Sequence, residues 1–224
     1  MDIMLVAATT LEIAPTLEWL QKNEFRAGSN TVQVVITGIG SMQTTYHMME
    51  AIQAQRPEAL IQAGIAGSFS HGFRPGTLCI VQDESTGDLG VEEAGIFRDV
   101  FDMGFQEAGQ FPFTARALHN PDTASLSRFG LPMVKAITVN EVTTAPKRIE
   151  TLQQKYAAIV ESMEGAAFHY VALRQQIPFL QLRAISNMVG ERDKTRWQMK
   201  DAITALNQQL ISLLQEPELF QQHN

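Results

Sequence analysis

The chain has 224 residues, 45% of them hydrophobic, which is enough for one sizeable core. Its formal net charge of −7 argues against a nucleic-acid-binding surface, which needs clustered lysine and arginine, and favours an enzyme of small molecules. No linker rich in proline or serine divides the sequence, so we predict a single α/β domain over residues 1–224.

The predicted elements alternate between strand and helix from the N-terminus onward. Residues 3–8 read as a strand, and a helix capped by Thr9 or Thr10 follows it. Ser41 is expected to cap a helix that ends before Pro57. Further strands are predicted at 32–37, 59–63, 77–82, 133–139, 157–160 and 179–185, and further helices near Ala145, Met163 and Asp193. This alternation predicts a mostly parallel sheet covered on both faces.

One long stretch lacks a regular pattern. Residues 83–132 have little periodicity but many glycines, prolines and phenylalanines. A structureless loop of that length is uncommon in a compact domain. We therefore expect further short strands or a small helix there, with a contribution to a substrate pocket.

The cysteine content and the lengths of the apolar runs predict the compartment in which the protein works. Cys79 is the only cysteine, so no intrachain disulfide can form, and its strand-like surroundings predict a packed, inert thiol. The first eight residues lack a basic leading segment, which predicts a strand rather than a signal peptide. No apolar run reaches the roughly 18 residues of a membrane span, and no Cys/His cluster suggests zinc. We expect a soluble, cytoplasmic protein without metal or cofactor.

Two glycine motifs follow predicted strands. Gly38-Ile39-Gly40 lacks the third glycine of a dinucleotide fingerprint, because position 43 is Gln43, and it predicts a turn rather than an NAD site. The second motif, at residues 64–67, reads Gly-Ile-Ala-Gly. Its glycines either let a ligand approach the backbone N–H groups or form a tight turn, and the sequence leaves both interpretations open.

Three charged residues lie where the carboxyl ends of strands are predicted, the edge at which open α/β sheets bind ligands. Glu12 and Glu164 each lie near the start of a helix, so each is either a carboxylate of a site or an acid that complements the helix dipole. Arg183 lies inside an apolar strand, where a guanidinium is costly to bury without a partner. We predict a functional or paired role for Arg183.

Several short motifs occur in a fixed order over nearly the whole chain. They are Thr-Gly-Ile-Gly at 37–40, Gly-Ile-Ala-Gly at 64–67, Pro-Gly-Thr-Leu at 75–78 before Asp83-Glu84, Met-Glu-Gly-Ala-Ala at 163–167 and Arg-Ala-Ile-Ser-Asn at 183–187. The ordered set resembles the superfamily of purine nucleoside phosphorylases and nucleosidases. The resemblance implies a three-layer αβα fold with a twisted mixed central sheet partly closed into a barrel, and a homo-oligomer.

The resemblance also implies roles for individual residues. In the nucleosidase branch an acid after the first strand activates water, which corresponds to Glu12, and Arg183 helps to place that water. Glu164 would hold the ribose hydroxyls, and Asn187 would contact the departing purine. The remaining substrate-binding positions implied are Ser162, Met163, Gly67, Ile65 and Val142.

Two departures narrow the resemblance. Methylthioadenosine nucleosidases usually read Glu-Met-Glu, whereas Ser162 precedes Met163 here and Glu161 is displaced by one residue. They usually carry a titratable Asp where this chain has Asn187. Together with residues 87–92 and 192–197, these changes resemble the futalosine hydrolase family, which acts in the alternative menaquinone pathway and cleaves futalosine to hypoxanthine and dehypoxanthine futalosine.

The futalosine interpretation implies a cation for the distal benzoate, and the candidates are Arg192, Lys194 and Arg196. Three alternatives remain: a methylthioadenosine/adenosylhomocysteine or aminodeoxyfutalosine nucleosidase, a phosphorolytic phosphorylase, and a ligand-binding sensor. A phosphorylase would need several arginines around phosphate, and the sequence offers only Arg26 upstream of the second strand. A sensor would not need the carboxylate of Glu12.

Overall fold

The computed structural model describes residues 1–193, 195, 197–217 and 219–220. The strands are β1 Asp2–Ala7, β2 Arg26–Ala27, β3 Asn30–Ile36, β4 Ala59–Ser68, β5 Leu78–Thr86, β6 Gly90–Glu93, β7 Ile96–Asp99, β8 Leu118–His119, β9 Met133–Thr138, β10 Val160–Ser162 and β11 Phe179–Met188. The helices are α1 Thr10–Lys22, α2 Ser41–Ala54, α3 Thr123–Ser127, α4 Pro146–Tyr156, α5 Gly165–Gln175 and α6 Met199–Leu214. None of these described helices is long and apolar enough to cross a membrane.

The central sheet is mixed and partly closed. Its strands follow the order β10-β9-β5-β11-β4-β1-β3-β2, and β10 also pairs with β4, which closes five strands into a ring. The closing pair is antiparallel and joins Val160 to Ser68. The strands β1 and β3 extend the sheet from β4 in parallel. The predicted mixed sheet with partial barrel closure is therefore confirmed.

Strand β1 shows why the fold has three layers. Alternate side chains of a strand point to opposite faces. Ile3, Leu5 and Ala7 pack in the core shared with α1 and α6, whereas Met4 and Val6 pack in the core shared with α2 and α5. Both faces of the strand are buried, so an uninterrupted apolar sequence is what this position requires.

Several predicted boundaries are wrong by one or more residues. Ser41 is the first residue of α2, and the capping position belongs to Gly40, whose φ of 92° favours glycine. The strand predicted at 157–160 is β10 and starts at Val160, because Ala157 ends α4 in a left-handed conformation. The helix predicted near Met163 starts at Gly165, with Glu164 as its N-cap.

The last predicted helix starts later than the sequence suggested. The expected start was near Asp193, but α6 begins at Met199. Asp193 Oδ1 instead accepts hydrogen bonds from the backbone N and the hydroxyl of Thr195, at 3.0 and 2.6 Å. Such a side-chain-closed turn uses the same residue types as a helix cap, which explains the error.

The irregular stretch 83–132 contains the short elements expected of it. β5 extends to Thr86, the hairpin β6–β7 follows, and then come β8 and α3. An ion network joins the stretch to α4: Arg116 pairs with Asp99 at 2.8 Å, and Lys155 pairs with the same carboxylate at 3.2 Å. Cys79 is buried in β5, and desolvation raises the pKa of its thiol to about 12, which agrees with an inert cysteine.

Candidate active site

The carboxyl ends of β1 and β3, the middle of β11 and the N-terminus of α5 converge beside β4. This convergence brings together Glu12, Glu164 and Arg183, three residues that the sequence analysis selected. All three side chains of this cluster are shielded from solvent: Glu12 is 8% exposed, Glu164 6% and Arg183 1%. Electrostatic interactions in such surroundings are stronger than in water.

Glu12 is held by three hydrogen bonds. Its Oε2 accepts from the backbone N and the hydroxyl of Thr9 at 3.1 and 2.9 Å, and its Oε1 accepts from Ile65 N at 3.1 Å. An ionised carboxylate offers about four acceptor positions. One position on Oε1 is therefore left for a water molecule. Glu12 lies in the first turn of α1, as its interpretation as a helix-dipole acid requires, and its role in a site stays a prediction.

A kink in α1 sets the direction of Glu12. Ile13 has non-helical dihedral angles, and Pro15 follows inside the helix. The side chain of Asn207 from α6 is inserted at this point: its Nδ2 donates to Glu12 O at 2.9 Å, and its Oδ1 accepts from Thr16 N at 3.0 Å. Asn207 thus replaces the helical hydrogen bond between residues 16 and 12, a recognised cause of kinks.

Arg183 lies over a strand residue without a side chain. A Cβ on Gly64 would overlap Arg183 Nη1 and would lie 3.0 Å from Glu12 Oε1, so this glycine leaves the space that the guanidinium and the carboxylate approach from two sides. Arg183 Nη2 donates to Gln62 Oε1 at 3.0 Å, and Nη1 lies 3.9 Å from Glu164 Oε2. Arg183 Nε is buried without a hydrogen-bond partner. The predicted pairing of this arginine is confirmed.

Glu164 faces the site from the N-cap of α5. Its Oε1 accepts from Gly40 N at 3.1 Å, and its Oε2 is the atom nearest Arg183. Burial raises the pKa of the Glu164 carboxyl, and the neighbouring charge of Arg183 opposes that rise. The site therefore holds an anion in a place where two neighbours, a backbone N–H and a guanidinium, favour its charge.

Asn187 follows an irregularity in β11. The pairing of β11 with β4 shifts between Ile185 and Asn187, so Ser186 is an extra residue. Ser186 Oγ donates to Asn187 Oδ1 at 2.8 Å, and Asn187 Nδ2 donates to Met188 O at 2.9 Å. A Cβ on Gly67 would lie 3.6 Å from Asn187 Nδ2, so the two predicted residues are neighbours.

The remaining predicted residues differ in how they relate to the cluster. Ile65 contributes its N–H to Glu12, and Met163 O accepts from the Ser41 hydroxyl at 3.5 Å. Ser162 Oγ accepts from Gly165 N at 3.4 Å, which is a contact within the turn before α5. Val142 is 39% exposed and lines a cavity of about 740 Å³ with residues of the β6–β7 hairpin and of α4. That cavity is not lined by Glu12, Glu164 or Arg183.

Glu161, the displaced acid of the motif, faces away from the cluster. Its Oε1 accepts from Thr143 N at 3.1 Å, and its Oε2 is buried without a hydrogen-bond partner. Burial raises the pKa of this carboxyl. Glu161 thereby fastens the loop that carries Val142 to strand β10.

The distal cations are only partly described. Arg192 is exposed, and its Cζ lies 5.9 Å from the centre of the Trp197 ring. Lys194 and Arg196 lie outside the described residues. Within the described part of the chain no group of three or more metal-binding side chains occurs.

Sequence reasoning missed the residues that orient the cluster. Gln62 interrupts an apolar strand in the same way as Arg183, so the same signal was available for it. Gly40 was assigned to a turn, whereas it also donates its N–H to Glu164. Asn207 gave no local signal, because its role depends on a contact with residues almost 200 positions away.

Comparison with known proteins supports the fold. A futalosine hydrolase of Thermus thermophilus is 32% identical over 185 residues, covering 80% of both chains. The solved structure of a Helicobacter pylori futalosine hydrolase superposes with a TM-score of 0.76 at 19% identity, covering 94% of this chain and 96% of the other. The H. pylori 5′-methylthioadenosine/S-adenosylhomocysteine nucleosidase gives 0.77 at 18% identity with the same coverage. At these identities the solved structures show the fold alone.

A comparison with models of protein families identifies the superfamily of the chain. The pattern described as the phosphorylase superfamily matches residues 18–216, which is most of the chain and includes Glu164, Arg183 and Asn187. The resemblance drawn from the ordered motifs is thereby confirmed. This chain belongs to the phosphorylase superfamily.

Proposed function

We propose that this chain is an N-ribosyl hydrolase that cleaves futalosine to hypoxanthine and dehypoxanthine futalosine, a step of the alternative menaquinone pathway. The observation that carries the proposal is that Glu12 and Arg183 both approach the space left by the missing side chain of Gly64, with Glu164 Oε2 3.9 Å from Arg183 Nη1. A carboxylate with a free acceptor position and a guanidinium are the groups needed to bind and polarise a water molecule. The relatives that share about a third of the residues bear the name futalosine hydrolase.

The reaction follows from the charges. Water adds to C1′ of the ribose while the bond from C1′ to the purine nitrogen breaks, and the bonding electrons leave with the purine. Glu12 takes the proton that the attacking water loses. Glu164 accepts hydrogen bonds from the ribose hydroxyls, and its negative charge stabilises the positive charge that develops on the sugar ring.

Asn187 faces the departing purine in this proposal. One hydrogen of its Nδ2 is bonded to Met188 O, and its Oδ1 accepts from Ser186. The second hydrogen of Nδ2 remains to donate to O6 of hypoxanthine, and the second lone pair of Oδ1 remains to accept the N7 proton. This arrangement suits a 6-oxopurine, whereas a titratable aspartic acid suits adenine.

Water is favoured over phosphate as the nucleophile. Arg26 is the arginine that a phosphorylase would use. In the sheet it lies opposite Thr31 of β3, and Thr31 lies opposite Asp2 at the start of β1. Glu12 follows the other end of β1, so Arg26 lies about 16 Å away along the strand direction. Arg26 is therefore too far from Glu12 to bind a phosphate beside it.

The distal benzoate is assigned to the segment after β11. We propose Arg192, Lys194 and Arg196 of that segment as the candidate partners of the benzoate carboxylate. Replacing each by Met should raise KM for futalosine and leave KM for a futalosine ester unchanged. An unchanged KM in all three variants would place the benzoate elsewhere.

A panel of substrates tests the proposal. Release of free base is measured for futalosine, aminodeoxyfutalosine, inosine and methylthioadenosine, each with and without phosphate. We expect futalosine to be cleaved fastest, with free ribose-type product and no dependence on phosphate. Preferential cleavage of methylthioadenosine would instead assign a nucleosidase of that substrate, and a sugar phosphate product would assign a phosphorylase.

We further propose that the protein is a cytoplasmic homo-oligomer. Met42, Tyr46 and Ile39 are 81%, 63% and 56% exposed, which is unusual for large apolar side chains this close together at the start of one helix. They adjoin Gly40, whose N–H holds Glu164. Sedimentation measures the subunit number, and Met42→Glu is expected to lower it.

A further inference from the structure

Glu84 is a fully buried carboxylate beneath the proposed site, and it touches three separate elements. It lies on β5 with 0% exposure. Thr138 Oγ1 of β9 donates to its Oε1 at 3.0 Å, and Gln181 Nε2 of β11 donates to its Oε2 at 3.2 Å. Its third neighbour is Gly165, the first residue of α5. A buried charge that bridges three elements fixes their relative positions.

The contact with α5 leads directly to Glu164. A Cβ on Gly165 would overlap Glu84 Oε2 and would lie 2.6 Å from Gln181 Nε2, so the carboxylate fills the space that a side chain would take. The Thr138 hydroxyl that donates to Glu84 also accepts from Ala166 N at 2.7 Å. The turn that presents Glu164 is therefore held from below by Glu84 and its partner.

A second connection leads to Arg183. Gln181, the other partner of Glu84, precedes Arg183 by two residues on β11 and shares its face of the strand. The charge of Arg183 also favours the ionised form of Glu84. One guanidinium is thus opposed by two carboxylates, Glu164 at the site and Glu84 behind it.

We propose that Glu84 is a positioning residue of the hydrolase reaction, an inference that rests on the proposed function. Its carboxylate holds the turn that carries Glu164. Its negative charge also interacts with Arg183, so the positive charge of Arg183 is divided between Glu84 and Glu164. When Glu84 is ionised, the site as a whole is more negative and favours the cationic transition state. When Glu84 is protonated, Arg183 neutralises Glu164 more fully, and the reaction is slower.

The pH at which this change occurs follows from the surroundings of Glu84. Desolvation raises the pKa of Glu84 to about 7. The charged or titratable groups on the packed elements are Arg183 of β11, Glu164 and His169 of α5, and His119 of β8. Burial lowers the pKa of His169 to about 4, so it is neutral in the range in question. His119 Nδ1 lies 2.7 Å from Asp83 Oδ1, and a control variant is needed to separate its effect from that of Glu84.

The test is the pH dependence of kcat/KM for futalosine in Glu84→Gln. The substitution preserves size, and the introduced amide can donate to Gln181 Oε1, which has no partner in the wild type. We expect a wild-type inflection near pH 7 that is absent in the variant, with a loss of roughly threefold to tenfold at pH 8 and none at pH 6. A control, His119→Gln, should keep the inflection.

Substitutions of Thr138 test the same proposal if Glu84→Gln does not fold. Thr138→Val removes a hydrogen bond that favours the ionised carboxylate, so the inflection should move to higher pH, whereas Thr138→Ser should leave it in place. An active enzyme whose inflection is the same in Glu84→Gln or Thr138→Val would overturn the proposal. Absence of base release by the wild type on every nucleoside would instead overturn the proposed function.

Discussion

Replacing Glu164 by Gln is the change that most directly separates binding of ribose from support of the fold. Gln can still accept from Gly40 N, so the turn before α5 should persist. The proposed acceptor for the ribose hydroxyls, however, becomes neutral. A hydrogen bond to a charged group contributes about 1.5–3 kcal/mol, which corresponds to a loss of roughly tenfold to a hundredfold in kcat/KM.

Stability serves as the first control for this variant. Arg183 loses one opposing charge at 3.9 Å but keeps the hydrogen bond from Nη2 to Gln62. We expect the free energy of unfolding to fall by about 1–2 kcal/mol. A much larger loss would mean that Glu164 is chiefly a structural partner of the buried arginine.

Substrates with and without the 2′-hydroxyl provide the second control. Base release is followed for the ribo substrate and its 2′-deoxy analogue. The substitution should lower kcat/KM less for the deoxy compound than for the ribo substrate. Because burial raises the pKa of Glu164, wild-type efficiency should also fall at mildly acidic pH, with a dependence that the variant lacks. Equal losses for both substrates would refute the assignment of Glu164 to the ribose.

Three further predictions concern other parts of the site and its support. Glu12→Gln should abolish turnover while the fold stays intact, because an amide cannot take the proton from water; retained turnover would exclude Glu12 as the base. Asn187→Asp should narrow or reverse the preference for futalosine over aminodeoxyfutalosine, measured as a ratio of kcat/KM, and an unchanged ratio would exclude Asn187 from purine recognition. His169 has a folded pKa of about 4 against 6.5, so its contribution is complete above pH 6.5 and lost as pH falls to 4. The loss is on the order of 3 kcal/mol in urea unfolding and should be missing in His169→Gln.

The sequence predicted most strands because buried parallel strands carry apolar runs, and Arg183 was selected because it interrupts one of them. The same reasoning applied to Gln62 would have identified the partner of Arg183. Closure of the barrel was expected only from the family resemblance. The pairing of Val160 with Ser68 joins residues far apart in the chain, and no local pattern encodes it.

The errors have local physical causes. Ala157 adopts a left-handed conformation, for which alanine gives no signal, so the following strand was placed too early. The turn closed by Asp193 and Thr195 uses the residues of a helix cap, so α6 was placed too early as well. Neither error affected the site, because Glu164 and Arg183 belong to stretches with strong hydrophobic patterns.

The insertion of Asn207 into the kink of α1 ties the direction of Glu12 to the docking of α6. Thr16 N and Glu12 O lie 191 and 195 positions from Asn207 in the chain, so they have this partner only when α6 packs on α1. A change that loosens α6 would therefore reach Glu12 through the backbone of α1, even if every strand of the sheet stayed in place.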